Sequence, residues 1–159
     1  MEPERTTTDS EPEREILLKD FERSYGFPFD TFQRRACEAL AVGSSFLVAA
    51  PRGSGKTVVG EFAAWMAMRG GGKTFYTAPI KALSNQKFAD FTGIYGPESV
   101  GLLTGDNLIN GTARICVMTT EVLRNMIYED SLALQGLECL GDVGLPARAG
   151  AEDGRHRCR

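Results

Sequence analysis

Apolar positions along the chain change their period several times, and those changes mark out the elements. Ile16, Leu17 and Phe21 recur at helical spacing within Glu15 to Ser24, which predicts a short amphipathic helix ended by Gly26. Tyr25 to Phe32 is an aromatic-rich loop. Thr31 to Val42 then sets Phe32, Ala36, Ala39 and Leu40 on one face of a second helix, closed by Gly43. The apolar run Phe46-Leu47-Val48-Ala49 suits a core strand. Beyond it the pattern predicts a helix from Val58 to Met68, a strand from Lys73 to Ala78 and a helix from Ile80 to Phe91. Strands at Ser99 to Leu103 and Arg114 to Thr119 and a helix from Glu121 to Tyr128 complete it. Such alternation predicts an α/β fold, a parallel sheet with helices on both faces and ligands at the carboxyl ends of the strands.

The two ends lack this patterning. Met1 to Glu15 holds six acidic and two basic residues and no large apolar residue after Met1, so it reads as a disordered acidic tail. Residues 16–140 read as the folded domain. Residues 141–159 contain four glycines, four arginines and almost no large apolar residue, with neither helical nor strand periodicity. They read as an unpatterned tail.

The densest chemistry lies in Ala50-Pro51-Arg52-Gly53-Ser54-Gly55-Lys56-Thr57, directly after the first predicted core strand and before a helix. A triphosphate is wrapped by backbone N–H groups, which converge only where the chain turns tightly without a Cβ, here at Gly53 and Gly55. Lys56 supplies a cation for the β- and γ-phosphates, the Thr57 hydroxyl can ligate Mg²⁺, and the helix N-terminus adds partial positive charge. Pro51, Arg52 and Ser54 complete the loop. The bland alternative is a strand, a glycine turn and a helix that bind nothing; a small-molecule kinase would carry the same loop.

At 159 residues, 42% hydrophobic and 25% charged, the chain suits one globular domain. A formal net charge of −3 provides no basic field, so contact with nucleic acid must come from a local surface. Cys37, Cys116, Cys139 and Cys158 are widely spaced without a CxxC pair, and His156 is the single histidine. Neither a structural zinc site nor a disulfide framework is expected. No stretch approaches the roughly 20 apolar residues of a membrane span, so a cytoplasmic protein with reduced thiols is expected.

Several segments together resemble successive motifs of superfamily 2 DExH RNA helicases of the superkiller-like branch. They are Phe27-Pro28-Phe29-Asp30-Thr31-Phe32-Gln33, the loop at 50–57, Tyr76-Thr77-Ala78-Pro79-Ile80-Lys81-Ala82-Leu83-Ser84-Asn85-Gln86-Lys87, Leu103-Thr104-Gly105-Asp106, and Met118-Thr119-Thr120-Glu121-Val122-Leu123-Arg124-Asn125-Met126. The resemblance spans Tyr25 to Ser131 and implies the first of two RecA-like domains, using ATP and Mg²⁺. It implies that Phe27 stacks on adenine and that the Gln33 amide reads the base edge, whereas Phe29 and Phe32 read better as core aromatics. It also implies that Thr77, Pro79 and Lys81 hold the backbone of single-stranded RNA, joined by Gly105, Asp106, Thr119, Thr120 and Glu121. Such contacts carry no base code. The bland alternative for the segment from Thr77 to Lys81 is a plain helix cap, Thr120 suits an N-cap, and Arg124 suits a solvated helix face.

The resemblance breaks after Ser131. Family members enter a further strand ending in Asp-Glu-x-His, whose carboxylates hold Mg²⁺ through water and polarise the attacking water. Here Gly136-Leu137-Glu138-Cys139-Leu140 occupies that place and is followed by Gly141-Asp142-Val143 with no acidic pair. The expectation is that the reading frame is lost between Ser131 and Gly141, leaving an ATP-dependent RNA helicase fragment with very low turnover and poor solubility. The alternative is a catalytically inactive ATP- or RNA-binding module.

Overall fold

The computed structural model describes residues 11–44, 46–47, 51, 53–129, 131–134, 137–142 and 155–158. The helices are α1 (Glu11–Glu22), α2 (Thr31–Ala41), α3 (Thr57–Gly70), α4 (Lys81–Tyr95) and α5 (Thr120–Tyr128). The strands are β1 (Phe46–Leu47), β2 (Lys73–Ala78), β3 (Val100–Leu103), β4 (Leu108–Ile109), β5 (Ile115–Thr119), β6 (Leu137–Asp142) and β7 (Arg155–Cys158). They form one sheet in the order β1-β7-β6-β2-β5-β3-β4. β6, β2, β5 and β3 run parallel, while β4 and β7 are antiparallel to their neighbours. Because β7 opposes both β1 and β6, β1 runs in the same sense as the parallel strands.

Side-chain alternation along the strands gives the sheet two apolar faces, as expected for strands covered on both sides. Tyr76 packs with Val100, Leu102, Ile115 and Val117 against Phe91 of α4 and Ala64 of α3. Its neighbour Phe75 points the other way, with Leu103, Cys116 and Met118 against Leu123 of α5. α3 is apolar almost all round and buries Val58, Val59, Phe62, Ala63, Ala64 and Ala67, because α1 and α2 cover the side turned from the sheet. Phe62 alone, fully buried, contributes about 1.5–3 kcal/mol of apolar transfer. Gly60 allows α3 this close approach, since a Cβ there would lie 2.8 Å from the Tyr76 ring.

The doubly covered, mostly parallel sheet agrees with the sequence pattern, and differences concentrate at the ends. α1 starts at Glu11, inside the stretch expected to be tail, and it buries Leu18 and Phe21 while Ile16 stays exposed. β4 was not expected: two residues carry too little pattern to register, and the hairpin closes through Thr104 N–H to Asn107 O at 2.8 Å. β6 continues past residue 140 to Asp142, and β7 forms at 155–158, where no strand was expected. Backbone ladder bonds need no apolar patterning, so an arginine-rich run can still pair between β1 and β6. Residues 1–10, 143–154 and 159 of the expected tails lie outside the described residues.

Candidate functional site

The glycine loop precedes α3 at the carboxyl-end side of the sheet. Gly53 and Gly55 take φ values of +77° and +80°, the left-handed region in which a side chain is strained. Ser54 closes the turn by donating from N and Oγ to Pro51 O, at 3.3 and 2.7 Å. α3 then begins at Thr57 with no side-chain cap, and Val58 N–H and Val59 N–H donate back to Gly55 O and Lys56 O, each at 3.2 Å. Arg52 of the expected loop lies outside the described residues.

Gln33 joins this loop to the preceding segment. Its Oε1 accepts from Asp30 N–H at 2.8 Å, as part of the capping box of α2, and its Nε2 donates to Gly55 O at 3.1 Å. The residue is 3% exposed. Sequence reasoning gave this amide to a base edge. The fold engages one N–H and one carbonyl lone pair in holding the loop, and one of each remains by valence. Gly55 is doubly constrained, because a Cβ there would also clash with Gln33 Nε2.

Phe27 is 53% exposed, whereas Phe29 is buried in the α1–α2–α3 core and Phe32 is half-buried. A cleft of about 520 Å³ opens beside Phe27, lined also by Pro28, Arg34, Lys19, Glu22 and Arg23. Its rim is braced by Glu22, which accepts from Phe29 N–H at 2.7 Å and from Arg34 Nη2 at 2.6 and 2.8 Å. Among the described residues, 51 and 53–57 do not line this cleft, so the aromatic slot and that part of the glycine loop are separate surfaces, with Gln33 bonded to the loop and to the cap of α2 between them.

The other predicted residues gather where β2, β3 and β5 end. Pro79 is half-buried, and Lys81, Gly105, Thr120 and Glu121 are exposed. α4 and α5 both start without a side-chain cap. The N-cap of α5 is Thr119 rather than Thr120, because Thr119 retains extended backbone at φ −77°, ψ 149° while Thr120 is already helical. Thr77, at the end of β2, is fully buried, unlike its exposed neighbours on this surface. Lys81 and Asp106, both assigned to nucleic acid, are paired with each other, and Thr104 Oγ1 donates to Asp106 at 3.1 Å. The Lys81 ammonium first, and then Thr104, holds the Asp106 carboxyl below its ordinary value. Arg124 is exposed and lies 3.9 Å from Glu121 on the helix surface.

Sequence reasoning missed a polar cluster behind both surfaces. Glu61 of α3 accepts from Lys87 Nζ of α4 at 2.6 Å and from the Tyr25 hydroxyl. Burial, reinforced by the Glu61 carboxylate, pushes the Tyr25 phenol above its usual range. Lys87 further lies over the rings of Tyr76 and Phe91, at 5.9 and 5.3 Å. The available signal was the lone carboxylate in Thr57–Gly70, since a charge inside an apolar helix needs a partner. Among the described residues no group of three or more acidic, cysteine or histidine side chains could hold a metal ion. Cys37 and Cys116 are free and buried, and burial pushes the Cys37 thiol up to about 12, which leaves it inert. No helix among the described residues is long and apolar enough to cross a membrane.

A family model described as DEAD/DEAH box helicase matches residues 30–140. "Probable helicase HelY" of Mycobacterium leprae is 59% identical over 120 residues, 76% of this chain and 13% of that protein. "Antiviral helicase SKI2" of Saccharomyces cerevisiae is 48% identical over 122 residues, 77% of this chain and 10% of that protein. "Superkiller complex protein 2" of Homo sapiens is 46% identical over 114 residues, 72% of this chain and 9% of that protein. The chain thus spans only 9–13% of the length of these relatives.

Proposed function

The chain belongs to the DEAD/DEAH box helicase family, and from that premise we propose that it is the ATP-binding portion of a superkiller-like, ATP-dependent RNA helicase. Residues 51–57 bind the phosphates of Mg-ATP, with Lys56 on the β- and γ-phosphates and Thr57 on Mg²⁺. Phe27 stacks on the adenine in the neighbouring cleft, and Gln33 sets the distance between base and phosphates. The amides that open α4 and α5, with Pro79, Lys81, Gly105 and Glu121, hold the sugar–phosphate backbone of single-stranded RNA without reading its bases. The buried free thiols suit a reducing cytoplasm.

One observation carries this reading: Gln33 is bonded at once to the α2 cap and to the carbonyl of the left-handed Gly55. A glycine turn that bound nothing would not require a buried amide from 22 residues away to hold it. Calorimetry of the folded chain with Mg-ATP tests the proposal: saturable heat is expected, and its absence would refute the site.

A second reading rests on the end of β6. Asp142 stands there in register with Thr77 of β2, a single acidic residue where family members carry a pair. Two carboxylates are needed to hold Mg²⁺ and orient the attacking water. This favours a chain that binds ATP without turning it over. RNA-stimulated phosphate release would overturn that second reading.

A further inference from the structure

Glu61 stands one helical turn beyond Thr57 on α3, so it shares the face of the helix that opens at the glycine loop. Its two carboxylate oxygens have different partners. One accepts from the Tyr25 hydroxyl, and the other from Lys87 Nζ at 2.6 Å. Tyr25 belongs to the loop that carries Phe27, and the two rings meet edge to face at 5.6 Å. Lys87 belongs to α4, whose first residue is Lys81. The Glu61–Lys87 pair is mostly withdrawn from solvent, with side chains 21% and 13% exposed. Lys87 also reaches Asp90 at 3.5 Å. An ion pair this far from water is weakly screened and strongly directional, unlike the surface pairs of α1.

We propose that Glu61 is a positioning residue that fixes two surfaces relative to the glycine loop, the Phe27 base slot through Tyr25 and the start of α4 through Lys87. The inference rests on the proposed function. One oxygen sets where the adenine ring lies with respect to the phosphates, and the other sets where Lys81 lies with respect to RNA. A purely structural carboxylate would weaken all binding in proportion to the loss of folded protein. A positioning carboxylate instead separates the ligands.

The test uses the full chain and three probes: Mg-ATP, inorganic Mg-triphosphate and a labelled single-stranded oligouridylate. Tyr25→Phe keeps the ring and removes only the hydroxyl. It is expected to weaken Mg-ATP about tenfold, the order of one hydrogen bond to a charged group, with Mg-triphosphate unchanged. Lys87→Met is expected to weaken the oligouridylate several-fold and leave Mg-triphosphate unchanged. Glu61→Gln should show both losses. Equal weakening of Mg-ATP and Mg-triphosphate in Tyr25→Phe, or no change in either, would overturn the proposal even if Glu61→Gln failed to fold. Wild-type protein that is folded but binds no Mg-ATP would refute the functional reading and this inference together; intact wild-type binding with silent variants would refute only the inference.

Discussion

On the proposed nucleotide side, Gln33 and Glu22 bind inward: the first holds Gly55 O and Asp30 N–H, the second holds Phe29 N–H and Arg34. On the proposed RNA side, the Lys81–Asp106 and Arg124–Glu121 pairs lie in solvent, and the helices begin without side-chain caps. Both surfaces draw on helix N-termini, yet only on the nucleotide side does a buried side chain bond the ligand-facing loop itself; the RNA side is tied in from behind, through Lys87. The difference follows from the ligands. A triphosphate has one shape and rewards a loop fixed before it arrives. A sugar–phosphate chain that must slide rewards donors that hold it at any register and release it.

If that contrast is right, substitutions on one side should be nearly silent on the other. The largest effect is expected for Lys56→Ala, which removes the phosphate cation and should weaken Mg-ATP by about 100-fold or more, by the scale of charge-assisted bonds. Calorimetry reads it, and oligouridylate affinity should stay within about twofold of wild type. Unchanged ATP binding would refute the loop assignment. Gly55→Ala comes next, because it combines a strained φ with a clash against Gln33. It should destabilise the fold by about 1–3 kcal/mol and displace the brace, which urea unfolding with Mg-ATP titration measures.

Lys81→Ala should be milder and confined to the other side. Oligouridylate binding should fall several-fold, and the slope of log K against log salt should shrink by about 0.7, the loss of one single-strand phosphate contact. Mg-ATP affinity that fell in parallel would break the comparison. The smallest effect concerns pH. The Asp106 carboxyl is held below its ordinary value in the folded chain, so the Lys81–Asp106 contact adds stability above that ordinary value and loses it as pH falls through the lowered one. Because the carboxyl is exposed, only a slight extra fall of Tm on the acid side is expected, absent in Asp106→Asn. A large shift would mean that this side is braced after all.

Much of this molecule was readable in the chain. The periodicity of residues 73–128 gave the alternating strands and helices, since burial of one face imposes a period that survives any detail of packing. The glycine loop was readable because left-handed turns restrict residue type so strongly. Less legible were Thr77 and Thr120. A threonine at a strand end reads the same whether its hydroxyl faces solvent or the interior, and a one-residue difference in helix start moves the cap.

By itself the sequence determined the fold class, the position of the glycine loop and the set of segments that meet at the strand ends, because each depends on local period or local backbone freedom. Only the tertiary structure decided that Gln33 grips Gly55, that Lys81 meets Asp106, and that Glu61 joins Tyr25 to Lys87. It also decided the pairing of β7 between β1 and β6. These contacts link residues distant in the chain through polar atoms. Periodicity records which side of an element is apolar, and it carries no information about which donor a buried acceptor will find.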